Sequence, residues 1–322
     1  MFLMTLLLFG GFAALYFGAD WMVRGAARLQ GSLGLSPIVI GLTVVSLGTS
    51  APELIVALLA TLRGSADIAV GNVLGSNLAN IGLILGATAL VRPLMVAERV
   101  VRREIPIMIL LTLLIYPLIM DGEVGRFDGA ILTLLMGLYL TYVFHRGRKA
   151  PPPLMSGYSE FSKEERADKT KAILSALVFL LAGTGGLLLG GRAIVESAIY
   201  LSKDLGISEL GMGLTVVAIG TSLPEMATSI MAAIRGQTDI AVGNVIGSNI
   251  FNITGVLGVT GFIKPIAVDP GVFWVELPAV VSLSLLVLLV TLFPMAKGEY
   301  RIRRWEGALL LGAYIWLGFS IL

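Results

Sequence analysis

The segment GLTVVSLGTSAPE, Gly41 to Glu53, returns 172 residues later as GLTVVAIGTSLPE, Gly213 to Glu225. The register then holds through GNVLGSNLAN (Gly71 to Asn80) and GNVIGSNIFN (Gly243 to Asn252). Between Gly41 and Gly86 on one side and Gly213 and Gly258 on the other, 27 of 46 residues are identical. Apolar helices that merely share a composition do not align this well, so the two halves of the chain read as duplicates.

Around this repeat the chain is strongly apolar. Of 322 residues, 56% are hydrophobic and only 14% charged, a balance that places the protein in lipid, since a water-soluble surface needs far more polar residues. There is no cysteine, which removes disulfides, thiolate metal sites and thiol redox chemistry. The first apolar stretch begins at Met1 without a basic leader or a small-residue cleavage pattern and reads as a mature helix.

A helix needs about 20 apolar residues to cross the hydrocarbon core. Ten stretches qualify as candidate spans: 2–19, 33–62, 67–91, 104–120, 127–145, 171–195, 205–234, 239–263, 272–294 and 305–322. The second and seventh exceed one crossing, which predicts a tilt or an internal break. The expected fold is thus an all-α polytopic membrane protein of ten transmembrane helices arranged as two five-helix repeats. These are residues 1–146 and 171–322, joined by a linker over 147–170 that contains Ala150-Pro151-Pro152-Pro153. An odd number of spans per copy makes the second repeat enter the membrane inverted.

With the N-terminus outside, 18 Lys and Arg residues fall on the inward connections and 5 on the outward ones (Arg63, Arg126, Arg192, Lys203 and Lys264). This asymmetry predicts a multi-pass protein of the cell membrane with both termini outside and the central loop in the cytoplasm. The expected partner surface is the lipid bilayer, with no nucleic acid.

Inverted repeats build transporters, and the repeated segments carry the chemistry. Glu53 and Glu225 lie at matched positions inside predicted spans, where an ionisable side chain is costly and marks a functional site by default. Pro52 and Pro224 give no N–H to the carbonyls of Gly48 and Gly220, leaving these as hard oxygen ligands. Thr49 and Thr221 stand one turn before each glutamate. Asn72, Ser76 and Asn80 form an i, i+4, i+8 stripe, repeated by Asn244, Ser248 and Asn252. Either stripe alone could serve only helix packing; its duplication beside buried glutamates favours binding. The donor set is carboxylate, amide, hydroxyl and carbonyl oxygen without nitrogen or sulfur, which suits Ca²⁺, Na⁺ or Mg²⁺ and is poor for Zn²⁺ or Cu⁺. An enzyme is not expected, because Ser50 and Ser222 have no histidine or lysine base in these spans. Asp20 with Arg24 and Arg192 with Glu196 read as interfacial anchors or salt bridges, with gating as the alternative.

At GTSAPE with GNVLGSNLAN, and GTSLPE with GNVIGSNIFN, the sequence resembles the cation/calcium exchanger superfamily, specifically its prokaryotic sodium/calcium antiporters, and the resemblance covers essentially the whole chain. It implies Na⁺/Ca²⁺ antiport by alternating access, with an eight-helix core around the ion sites and the first and sixth helices sliding across it. It also implies Ca²⁺ and Na⁺ as transported ions, with no cofactor. By motif, the ion ligands would be Thr49, Ser50, Glu53, Ser76 and Asn80, then Thr221, Ser222, Glu225, Ser248 and Asn252. In part of that family, potassium-dependent members included, an aspartate stands where this chain has Asn252, so only two carboxylates remain here. H⁺/Ca²⁺ exchange is the alternative, since a buried carboxylate that loses its cation can take a proton, and a passive channel is a rival of another class.

Overall fold

The computed structural model describes residues 2–147, 169–204, 220–292 and 300–321. The predicted linker falls almost wholly outside these residues, as do residues 213–219 of the second repeat and the start of the seventh expected span.

Two helices are much longer than a single crossing: α1 (Phe2–Leu33) and α9 (Lys169–Asp204). At 1.5 Å per residue, the 32 residues of α1 extend about 48 Å. The expected ends at residues 19 and 195 are therefore corrected. Charged residues do not stop either helix, because Asp20 and Arg24 pair one turn apart at 2.8 Å, as do Arg192 and Glu196 at 2.7 Å. These two helices pack on each other through small residues. A Cβ on Gly18 would stand 2.7 Å from the Leu187 amide nitrogen, and one on Gly183 would stand 2.6 Å from that of Met22. Such backbone-to-backbone approach tolerates no side chain, and it maximises dispersion contact where lipid removes the hydrophobic drive for helix association.

In the first half there follow α2 (Pro37–Ile40), a π-helical turn over Gly41–Val45, α3 (Ser46–Thr49) and α4 (Ala51–Leu62). The axis bends by 42° between α3 and α4, at Ser50, which answers the expected break in the second span. The physical cause is Pro52 in the first turn of α4, which cannot continue the upstream hydrogen-bond ladder. The chain continues with α5 (Ala66–Ala79), a π turn over Asn80–Ile84, α6 (Leu85–Val91), β1 (Leu94–Val96), α7 (Ile105–Leu118), β2 (Glu123–Val124) and α8 (Arg126–Gly147).

After α9, the described residues of the second half form α10 (Leu223–Ile234), α11 (Thr238–Phe251), a π turn over Asn252–Leu257, α12 (Gly258–Ile263), β3 (Ile266–Ala267), α13 (Pro270–Trp274), α14 (Glu276–Leu292), β4 (Tyr300–Ile302) and α15 (Arg304–Ile321). Helices α4 and α10 have the same length and align residue for residue, as do α5 and α11, and each of the latter ends on an asparagine that opens a π turn. Two short antiparallel ribbons tie the halves together, Leu94 opposite Ile302 and Val124 opposite Ile266.

Polarity is arranged from the inside out. Leu3, Phe9, Leu174, Leu181 and Leu189 point outward, as suits lipid, whereas Asn77, Asn80, Asn244, Asn249 and Asn252 are wholly buried. Helix α11 is buried over its apolar length and forms the centre of the protein, with α5 beside it. Among the described residues, six helices are long and apolar enough to cross a membrane, and the bent pair of α2–α3 with α4 makes a seventh. The ten expected from sequence are not reached by this measure. Helix α7 has 14 residues, and α10 is described over only 12.

Candidate functional site

The bend at Ser50 and the corresponding turn at Ser222 aim the first turns of α4 and α10 into the centre of the protein. Glu53 and Glu225 sit in those first turns, where the dipole of the helix favours a negative charge, and both are fully buried. The break also places Thr49 and Thr221 outside the helices that carry the glutamates, so the two residue types are not on one continuous helix face as the spacing suggested.

Each threonine instead reaches the asparagine stripe of the other half. Thr49 Oγ1 donates to Asn244 Oδ1 at 3.0 Å, and Thr221 Oγ1 donates to Asn72 Oδ1 at 3.4 Å. The amides of those asparagines return to the glutamate backbones of their own halves: Asn72 Nδ2 to Glu53 O at 3.2 Å and Asn244 Nδ2 to Glu225 O at 3.3 Å. Further along, Asn252 Nδ2 donates to Asn77 Oδ1 at 3.1 Å, and Asn77 Nδ2 donates to Asn249 O at 3.3 Å. Ser50 Oγ bonds Glu225 Oε1 at 2.8 Å.

What this network leaves unmade is as informative. Both carboxylate oxygens of Glu53, the second one of Glu225, the hydroxyls of Ser76, Ser222 and Ser248, the amide oxygens of Asn249 and Asn252, and both the amide oxygen and nitrogen of Asn80 are buried without a hydrogen-bond partner. A buried polar group left so costs about 1–3 kcal/mol, more when it is charged, so their concentration here needs a compensating ligand. The unpartnered oxygens of this set fit a hard cation. Among the described residues no three His, Cys, Asp or Glu side chains gather, so softer metals have no site of the usual kind.

The ten residues singled out by sequence are thus all buried, and all belong to the paired helix breaks and the two asparagine helices. Sequence reasoning passed over Asn77 and Asn249, one position after each stripe serine, which join the halves. It also passed over Ser229, whose Oγ accepts from Asn244 Nδ2 at 3.0 Å. The signal for Ser229 was its i, i+4 spacing from Glu225; the matching position in the first half is Ala57, and the asymmetry concealed it.

A helical, multi-pass membrane protein with a buried, oxygen-lined centre is the class that fold and site define. This chain belongs to the sodium/calcium exchanger protein family, whose description matches residues 3–145 and 175–320. It is 40% identical over 320 residues to inner membrane protein YrbG of Escherichia coli, covering 98% of this chain and 96% of that one. It is 30% identical over 345 residues to sodium/calcium exchanger MaX1 of Methanosarcina acetivorans, covering 96% of each. Among solved structures, the sodium-calcium exchanger NCX_Mj superposes with a TM-score of 0.83 at 32% identity over 99% of both chains.

Proposed function

We propose that this protein exchanges Na⁺ for Ca²⁺ by alternating access, as a ten-span inverted repeat with both termini outside and the central loop cytoplasmic. Thr49, Ser50, Glu53, Ser76 and Asn80 of the first half, with Thr221, Ser222, Glu225, Ser248 and Asn252 of the second, form the ion site. The observation that carries this reading is the cluster of buried, unpartnered oxygens centred on Glu53 and Glu225. The naming of MaX1 and NCX_Mj as sodium/calcium exchangers supports the choice of ions.

Two ionised carboxylates carry a charge of −2, which one Ca²⁺ or two Na⁺ neutralise, so the ions compete for the same charge and an occupied centre is the electrically balanced one. An empty, doubly charged centre resists the passage between inward-facing and outward-facing shapes, and this resistance couples the two fluxes. The test is radioactive Ca²⁺ uptake into proteoliposomes of the purified protein under an outward Na⁺ gradient, an outward H⁺ gradient, or neither. Sodium-driven uptake is expected. Uptake driven by protons alone would transfer the protein to H⁺/Ca²⁺ exchange, and uptake indifferent to both gradients would mark a channel.

A further inference from the structure

Among the described residues, an ion pair ties the α1/α9 pair to the end of α10. Arg235, the residue that ends α10, donates from Nη2 to Asp20 Oδ1, while Arg24 Nε holds the other carboxylate oxygen at 2.8 Å. The Asp20 side chain is 7% exposed, so this contact is shielded, and α1 lies along α10 beside it.

The repeat offset of 172 residues carries Arg235 onto Arg63, the residue that ends α4, and carries the Asp20/Arg24 positions onto Arg192/Glu196. The same offset relates the helix seam: Gly11 and Gly18 correspond to Gly183 and Gly190. Their contacts are crosswise, with Gly11 against Gly190 and Gly18 against Gly183. It relates the helix ends too, where Arg92 Nη1 caps the α10 carbonyls Ala233 O and Ile234 O at 3.3 Å and Lys264 Nζ reaches Leu62 O of α4 at 3.4 Å. At the ion pair the correspondence fails, because Arg192 and Glu196 stand at the positions of Asp20 and Arg24 with the signs reversed. Arg192 and Glu196 bond each other at 77% and 50% exposure, and Arg63 is exposed with no ion pair among the described residues. Helix α9 meets the first half's Glu-bearing segment chiefly at α3 and has no extensive contact with α4.

We propose that Asp20–Arg235 and Glu196–Arg63 are two mutually exclusive latches, one for each face of the membrane, and that this structure is the state with the first closed and the second open. The inference rests on the alternating-access reading and adds to it the residues that hold each end state. Glu196 lies four residues nearer its helix end than the position equivalent to Asp20, about 6 Å along the axis, and the movement of the α1/α9 pair that releases Asp20 brings this carboxylate toward Arg63. Each latch closes as the other opens, so one ion pair is exchanged for another and the two end states stay close in energy.

The absence of cysteine makes the test direct. Asp20→Cys with Arg235→Cys, Glu196→Cys with Arg63→Cys, and the four-cysteine combination are reconstituted and treated with a short bifunctional thiosulfonate under opposing Na⁺ and Ca²⁺ gradients. Each pair is expected to cross-link, each cross-link to abolish exchange, and reduction to restore it, which also shows that the variants are folded. In the four-cysteine protein each molecule should take one cross-link. Molecules carrying both, or a Glu196/Arg63 pair that no gradient cross-links, would overturn the latches. Absence of sodium-driven flux in the untreated wild type, with the cross-links still exclusive, would instead remove the exchange reading and leave the latches standing.

Discussion

The hydroxyl of Ser50 donates to Glu225 across the two halves at 2.8 Å, but its counterpart Ser222, equally buried, makes no such bond to Glu53. The repeat is thus symmetric in sequence and asymmetric in its hydrogen bonds. A hydroxyl bond to a carboxylate is charge-assisted and contributes about 1.5–3 kcal/mol. Ser50→Ala is therefore expected to raise the half-saturating Ca²⁺ concentration roughly tenfold, and Ser222→Ala by less, as read from Ca²⁺ dependence of uptake.

Neutralising either glutamate leaves a centre of charge −1, which cannot balance Ca²⁺. Glu53→Gln and Glu225→Gln should each reduce sodium-driven Ca²⁺ uptake at least about a hundredfold, because one lost charge contact in a buried site amounts to several kcal/mol. Size-exclusion profiles should stay those of the wild type. Full exchange by either variant would dismiss the proposed site.

Two arginines three positions apart should differ sharply in their effect on stability. Arg99 holds the wholly buried Glu104 at 2.9 Å, where Tyr139 also donates at 3.0 Å, while Arg102 pairs with Glu98 at 66% and 61% exposure. Arg99→Ala strands a buried carboxylate and should destabilise by about 3–5 kcal/mol. Arg102→Ala should cost less than about 1 kcal/mol. Thermal unfolding in detergent, run on both variants together, measures the contrast.

At the seam of α1 and α9, Gly18→Leu places a side chain into backbone at 2.7 Å. Forcing the helices apart should lower stability by about 1–3 kcal/mol and slow exchange, whereas Gly10→Leu, which meets no atom within 4 Å, should do neither.

With Asn252 in place of a third carboxylate, potassium has no additional charge to neutralise. Adding K⁺ to either side should leave sodium-driven Ca²⁺ uptake unchanged. A strict K⁺ requirement would contradict the two-carboxylate account.

The duplication, the membrane character and the paired GTSAPE and GTSLPE segments were all legible in the sequence, because each is a local pattern: composition, periodicity and identity at a constant offset. The break at the second span was legible for the same reason, since Pro52 acts on its own turn. Where helices end was less so. Asp20 and Arg24 looked like a membrane boundary, yet α1 continues past them because their charges are met one turn apart and again by Arg235, 215 residues away.

What the sequence determined by itself is therefore which residues recur and which must be buried at a cost. Only the tertiary structure decided who meets whom: Thr49 with Asn244, Asn77 with Asn252, and Asp20 with Arg235. The reason is physical. Near-identical repeats offer near-identical partners, and the choice between them lies in how two helix bundles are seated on each other, a long-range packing balance that no local pattern encodes.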